Sequence, residues 1–184
     1  MTAKNTSTPE KNVIMLKLLN ESDVGEGYMT WMSDPEVTKY LESRWQSHTL
    51  DSLRSFVRTV NDGSTNFLFG IFDVKEKRHI GNIKIGPIHP IHRYGDIGLI
   101  IGEKDYWGRG IATMAISLIV EYAFAELNLH KVTASMYEPN QGSYRAFLKN
   151  GFNEIGRRKS HCFSQGEYVD LIILEKIKPE HSKT

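Results

Sequence analysis

Residues 96–113 constrain this chain more than any other stretch. Asp96-Ile97-Gly98-Leu99-Ile100-Ile101-Gly102 is followed by a charged piece ending in Tyr106-Trp107, then by Gly108-Arg109-Gly110-Ile111-Ala112-Thr113. The first part has the apolar, β-branched character of a strand, and the spacing from Ile111 onward predicts a long helix. A strand that enters a helix through so tight a glycine loop aims unpaired backbone N–H groups and the positive end of the helix dipole at one point. That point is a local anion site, and the small residues let a phosphate or pyrophosphate reach the backbone. The loop is not a Walker loop, because no Gly-Lys-Ser/Thr follows, and it is not the dinucleotide fingerprint, because Thr113 holds the third glycine position. Gly25-Glu26-Gly27 has the same spacing without the preceding strand, so context singles out 108–110.

The rest of the chain supplies one domain around this element. Residues 13–19 suit a first strand, and Asn20-Glu21-Ser22-Asp23 offers caps for a helix that stops at Asp34-Pro35. A short ordered turn runs on to Tyr40. Apolar residues at 50, 53, 56, 57 and 60 make a second helix. Three strands follow near 67–72, 80–85 and 95–101, then the long helix 108–127, a strand 131–137, a short helix 143–150 and two strands within 152–174. The expected fold class is α+β, a three-layer mixed sheet in the order β-α-α-β-β-β-α-β-α-β-β. Residues 1–12 read as a disordered polar tail, 13–178 as the single domain and 179–184 as a loose tail.

Composition narrows the partners. With 184 residues, 40% hydrophobic and 24% charged, the chain is long enough for one good core and short for two. Its 23 Lys plus Arg against 22 Asp plus Glu leave a net charge of +1, so neither nucleic acid nor an anionic membrane is expected to bind it. The single Cys162 excludes an internal disulfide, and no signal peptide is legible, so a cytoplasmic location is expected. The pair His89 and His92 lacks further ligands at suitable spacing, so no metal is expected.

A second constellation runs Tyr137-Glu138-Pro139-Asn140-Gln141-Gly142-Ser143-Tyr144-Arg145-Ala146-Phe147 and on to Gly151-Phe152. Asn140 caps a helix and Gly151 ends it. Together with the glycine loop, this pattern resembles the GNAT superfamily of acyl-CoA N-acyltransferases over residues 13–176. The Tyr106-Trp107-Gly108-Arg109-Gly110-Ile111-Ala112-Thr113 and Asn128-Leu129-His130-Lys131 segments resemble its branch of ribosomal-protein N-terminal, spermidine and amino-sugar acetyltransferases.

The resemblance implies acetyl-CoA as co-substrate. Its pyrophosphate would lie on Gly108, Arg109, Gly110, Ile111, Ala112 and Thr113 with Trp107 beside them. Its pantetheine arm would pair along Leu99, Ile100 and Ile101, and Asn140 would bond its amide. Asp96 stands where the family commonly carries a Glu base, with Glu103 and Glu138 as rivals. In the family pattern a tyrosine seven residues after the Asn protonates the leaving thiolate, and here that position is Phe147. Tyr144 and Ser143, one turn earlier, are the expected substitutes, with Tyr144 preferred and solvent as the alternative.

The acceptor is expected against the connection between the first two helices, where Tyr40, Glu42, Arg44 and Trp45 mix aromatic and charged groups, and near His92 in the loop between strands. The expected reaction is direct acetyl transfer, in a ternary complex, to a primary amine: a small molecule, an amino sugar or a peptide N-terminus. A polyamine acceptor and a catalytically silent acyl-CoA-binding module stay open, as does a homodimer.

Overall fold

The computed structural model describes residues 10, 11 and 13–179. The remaining residues of the two expected tails lie outside the described residues. Strand β1 (Glu10–Lys11) pairs antiparallel with β2 (Ile14–Leu18), so ordered backbone begins inside the stretch expected to be disordered.

Three helices follow. Asn20 caps a single 3-10 turn at Glu21–Asp23, and the first regular helix, α1 (Glu26–Ser33), begins after it. Asp34 then ends α1 and caps α2 (Pro35–Thr38), the turn expected up to Tyr40. A 3-10 turn at Glu42–Trp45 leads to α3 (Leu50–Val60), which opens with a capping box between Thr49 and Ser52. The chain continues as β3 (Phe67–Asp73), β4 (His79–Ile85), β5 (Tyr94–Ile101), α4 (Ile111–Ala125), β6 (Lys131–Tyr137), α5 (Gln141–Lys149), β7 (Asn153–Ser164) and β8 (Glu167–Ile177).

One eight-stranded sheet results, in the order β1-β2-β3-β4-β5-β6-β8-β7. Every neighbouring pair is antiparallel except β5 with β6. Helices cover both faces, which gives the expected three layers. On one face Phe69, Ile71, Ile83, Ile85 and Ile97 pack against the largely apolar α4. On the other, Leu68 and Phe72 meet Tyr28, Trp31, Leu53 and Val57 of α1 and α3. Alternation along the strands then puts Lys84, Asp96, Gly98, Thr133, Ser135 and Tyr137 on the α1/α3 face. Among the described residues no helix is long and apolar enough to cross a membrane.

Candidate active site

The parallel pairing of β5 with β6 covers only Tyr94 with Lys131, Gly95 with Val132, and Asp96 with Thr133. Beyond that point both strands continue, held by β4 and β8 on their outer sides, without pairing to each other. A cleft opens between them, and the inner backbone edge of 97–101 faces it. Backbone groups on such an edge need partners, and an extended chain carrying amides can supply them.

The cleft leads to the glycine loop, which is fixed from three sides. Gly102 lies so close to Trp31 that an added Cβ would sit 2.0 Å from its ring, and Trp31 Nε1 donates to Glu103 Oε1 at 2.9 Å. Trp107 Nε1 donates to the Ile101 carbonyl at 2.8 Å, folding the loop back onto β5. The hydroxyl of buried Tyr106 lies 3.2 Å from Asp73 Oδ2 and 3.1 Å from Glu76 Oε2, and burial with these two carboxylates pushes its pKa up to about 12.

Gly108 and Gly110 adopt φ of 73° and 77°, the left-handed region in which a side chain is strained, and no atom lies within 4 Å of a Cβ built on either. The space in front of both is open, as a phosphate held on the α4 N-terminus requires. Arg109 stacks on the Tyr106 ring at 5.4 Å and makes no ion pair among the described residues, so its charge is available to the same anion. Ile111 turns into the core, whereas Ala112 and Thr113 are half-buried in the first turn, where Asn150 Nδ2 holds the Thr113 carbonyl at 3.0 Å. The residues present therefore fit a pyrophosphate and a pantetheine arm.

Asn140 caps α5 by accepting from the Ser143 amide at 3.2 Å, which puts both at the mouth of the cleft. Phe147 is core, 1% exposed and edge-on to Phe152. Tyr144, the expected proton donor, is engaged on another strand. Its hydroxyl donates to Glu154 Oε2 at 2.9 Å, and Glu154 stands on β7, two strands beyond β6. Two strand spacings amount to roughly 10 Å, so the phenol is aimed away from the cleft.

Asp96 occupies the vertex where the strands part. Thr133 Oγ1 donates to its Oδ1 at 2.8 Å, and burial raises its pKa against the opposing pull of that bond and of Lys84. The rival carboxylates are engaged elsewhere. Glu103 serves Trp31 and Arg78, and Glu138 pairs with Arg157 at 2.7 Å.

Tyr40, Glu42 and Arg44, expected to border the acceptor, converge on Tyr137, which the sequence did not single out. The Tyr137 hydroxyl donates to Glu42 and accepts from Arg44 Nη1 at 3.1 Å, while the Tyr40 ring lies edge-on at 6.1 Å. Arg44 also bonds the carbonyls of Leu41 and Phe163, so it is a clamp between the helix connection and the β7–β8 hairpin rather than a free cation for a ligand. Period-two alternation in β6 was the signal for Tyr137 and Thr133, since it puts both on the face of Asp96. Trp45 stacks under Arg44 at 4.3 Å and stays 64% exposed. His92 does not join this group. It stacks on His89 and Tyr94 at the opposite end of β5, where the strands are still paired. Cys162 is buried beside Tyr137, and burial raises its thiol pKa, the reverse of an activated nucleophile.

Comparison with known proteins agrees with this geometry. Residues 14–153 match the sequence profile of the family described as "Acetyltransferase (GNAT) domain". The chain is 27% identical over 172 residues to the uncharacterized N-acetyltransferase YoaA of Bacillus subtilis, covering 92% of this chain and 96% of that protein. In fold it is similar to the ribosomal-protein-S5-alanine acetyltransferase of Vibrio fischeri, with a TM-score of 0.81 at 22% identity over 94% of this chain and all of the other. It is likewise similar to the spermidine N-acetyltransferase of Vibrio cholerae solved with CoA and spermine, with a TM-score of 0.80 at 22% identity, covering 91% of this chain and 96% of that one. With the parted β5 and β6 leading to an open glycine loop at the start of α4, these matches mean that the chain belongs to the GNAT family and is an acetyl-CoA-dependent N-acetyltransferase.

Proposed function

We propose that the protein transfers the acetyl group of acetyl-CoA to a small primary amine, with Asp96 as the general base. The observation that carries this reading is the position of Asp96: a largely buried carboxylate of raised pKa at the vertex of the cleft, on the face lined by Tyr40, Glu42 and Tyr137. Acetyl-CoA supplies an activated acyl group as a thioester. The chain must then hold that group, remove a proton from the acceptor's amine and stabilise the negative charge that develops on the acyl oxygen. Residues 108–113 hold the pyrophosphate, the open edge of Leu99, Ile100 and Ile101 takes the pantetheine and offers N–H groups to the oxyanion, and Asn140 bonds a pantetheine amide. Asp96 takes the proton. Transfer is read as direct, because the one thiol of the chain, Cys162, is buried with its pKa raised and so is not an activated nucleophile.

A diamine or polyamine acceptor is the second reading, and one distance favours it. Thr133 and Tyr137 are four residues apart on one strand face, about 13 Å at the rise of a strand. An acceptor with one amine at Asp96 and a distal ammonium at the Glu42 carboxylate spans that distance.

A panel of monoamines, diamines, amino sugars and short peptides, assayed with acetyl-CoA by thiol release, tests both readings. Turnover of an amine that is lost in Asp96→Asn supports the first, and selective turnover of long diamines supports the second. Tight binding of acetyl-CoA without turnover of any amine would leave a silent acyl-CoA-binding module.

A further inference from the structure

The Asp96–Thr133 pair is the last rung of the β5–β6 ladder, and its two side chains share one face of the sheet. Thr133 Oγ1 reaches across the rung to Asp96 Oδ1 at 2.8 Å. Among the described residues this is the one side-chain bond that ties the two strands together at the vertex of the cleft. A β-branched residue in a strand has few χ1 states, so little rotamer freedom is lost when the bond to Asp96 fixes the hydroxyl. An ionised carboxylate has about four acceptor positions, and the donor from Thr133 takes one of those on Oδ1, while among the described residues no hydrogen bond reaches Oδ2.

We propose that Thr133 is a positioning residue for acyl transfer: its hydroxyl fixes the Asp96 carboxylate where β5 and β6 part, with Oδ1 occupied and Oδ2 left to take the acceptor's proton. The inference rests on the reading of Asp96 as general base. In the step itself the amine forms its new bond to the acyl carbon, the N–H proton passes to Asp96, and the thiolate leaves to be protonated by solvent. Thr133 keeps its own proton throughout. A serine hydroxyl can do the same, and a valine of the same shape cannot.

The charged surroundings of Asp96 make the effect readable. Lys84 on β4 is the cation that acts on it. Glu175 on β8, opposite Thr133, is paired with Lys131 at 2.9 Å on the far side of the rung. Tyr137 is bound to Glu42 and Arg44 further along β6. None of these contacts involves the Thr133 hydroxyl, so its removal changes the partners of Asp96 alone.

The test follows the Asp96 carboxyl directly by carbon NMR in the full-length protein, with its signal assigned by its loss in Asp96→Asn. Thr133→Val is expected to move the titration midpoint upward by about one pH unit, because a hydrogen bond to the ionised form is lost. Thr133→Ser should stay within a few tenths of a unit of wild type. At neutral pH, kcat of Thr133→Val is expected to fall about tenfold with an unchanged KM for acetyl-CoA and to recover partly as pH rises. If Thr133→Val does not fold, Thr133→Ala serves the same purpose. An unmoved midpoint and unchanged kcat in the folded variant, with Asp96→Asn inactive, would overturn the role of Thr133 alone. Wild-type turnover in Asp96→Asn would overturn the base assignment and this role with it.

Discussion

The Tyr144 hydroxyl donates a hydrogen bond to Glu154 Oε2 at 2.9 Å, and Arg157 binds the same carboxylate through Nε at 2.7 Å and also reaches Glu138. The arrangement ties the first turn of α5 to the edge strand β7. It also makes the phenol a poorer acid, since the bond to Glu154 is the main cause of its raised pKa. Tyr144→Phe is therefore expected to keep turnover within about threefold of wild type, with solvent protonating the leaving thiolate. Thiol release under steady-state conditions checks this. A hundredfold fall would mean that Tyr144 leaves Glu154 and swings into the cleft during the reaction.

Gly110 sits at the N-cap of α4 with φ of 77°, facing open space. In Gly110→Val the new Cβ meets no protein atom within 4 Å, yet the side chain occupies the space a phosphate needs and strains the backbone by about 1–2 kcal/mol. That cost is small against the stability of a domain of this size, so the variant should fold. Its affinity for acetyl-CoA is expected to fall by roughly tenfold or more, because close approach to the N–H groups is blocked. Calorimetric titration alongside circular dichroism separates the two effects, and unchanged affinity in a folded variant would refute the loop assignment.

Arg44 joins three parts of the chain: Nη1 bonds the Leu41 carbonyl at 2.6 Å and the Tyr137 hydroxyl at 3.1 Å, and Nη2 bonds the Phe163 carbonyl at 2.9 Å. The planar fork of a guanidinium meets these directions, and a lysine ammonium cannot. Arg44→Lys and Arg44→Ala are both expected to raise KM for the acceptor about fivefold or more while leaving KM for acetyl-CoA within about twofold. A lysine variant that behaves as wild type would make this contact a matter of charge alone.

These cases mark how far the sequence reading reached. The β5–loop–α4 element was legible because its signals are local: a strand run, two glycines and a helical stripe lie within residues 96–125. The place of Asp96 on that strand was legible with it, as was the capping role of Asn140. The orientation of Tyr144 was not, because it depends on Glu154 of a strand whose place in the sheet follows from β8 inserting between β6 and β7. Nor was the Tyr137 cluster, whose partners Glu42 and Arg44 lie more than 90 residues away in sequence. The separation of His92 from the Tyr137 group was not legible either, for a related reason. A loop between strands can serve either end of a sheet, and only the register of β5 shows that this one lies at the paired end.

Asp96 is expected to stand in opposition between activity and stability. Burial raises its folded pKa above the value in the unfolded chain, so the unfolded state releases this proton first as pH rises. The stability associated with the protonated carboxyl is fully present below the unfolded pKa and is lost as pH climbs through the folded one. At neutral pH the ionised, partly desolvated carboxylate therefore weakens the fold. Asp96→Asn removes that charge, and its amide oxygen still accepts from Thr133. The variant should melt higher than wild type at pH 7, and the difference should vanish below the unfolded pKa of about 3.9. Turnover moves the other way, with an expected loss of about a hundredfold or more at pH 7 that shrinks at higher pH, where the free amine is already neutral. Thermal melts across pH 3–8, run beside amine-dependent thiol release, measure both. A variant that melts lower at pH 7, or loses activity equally at every pH, would show Asp96 to be a structural carboxylate instead of the base.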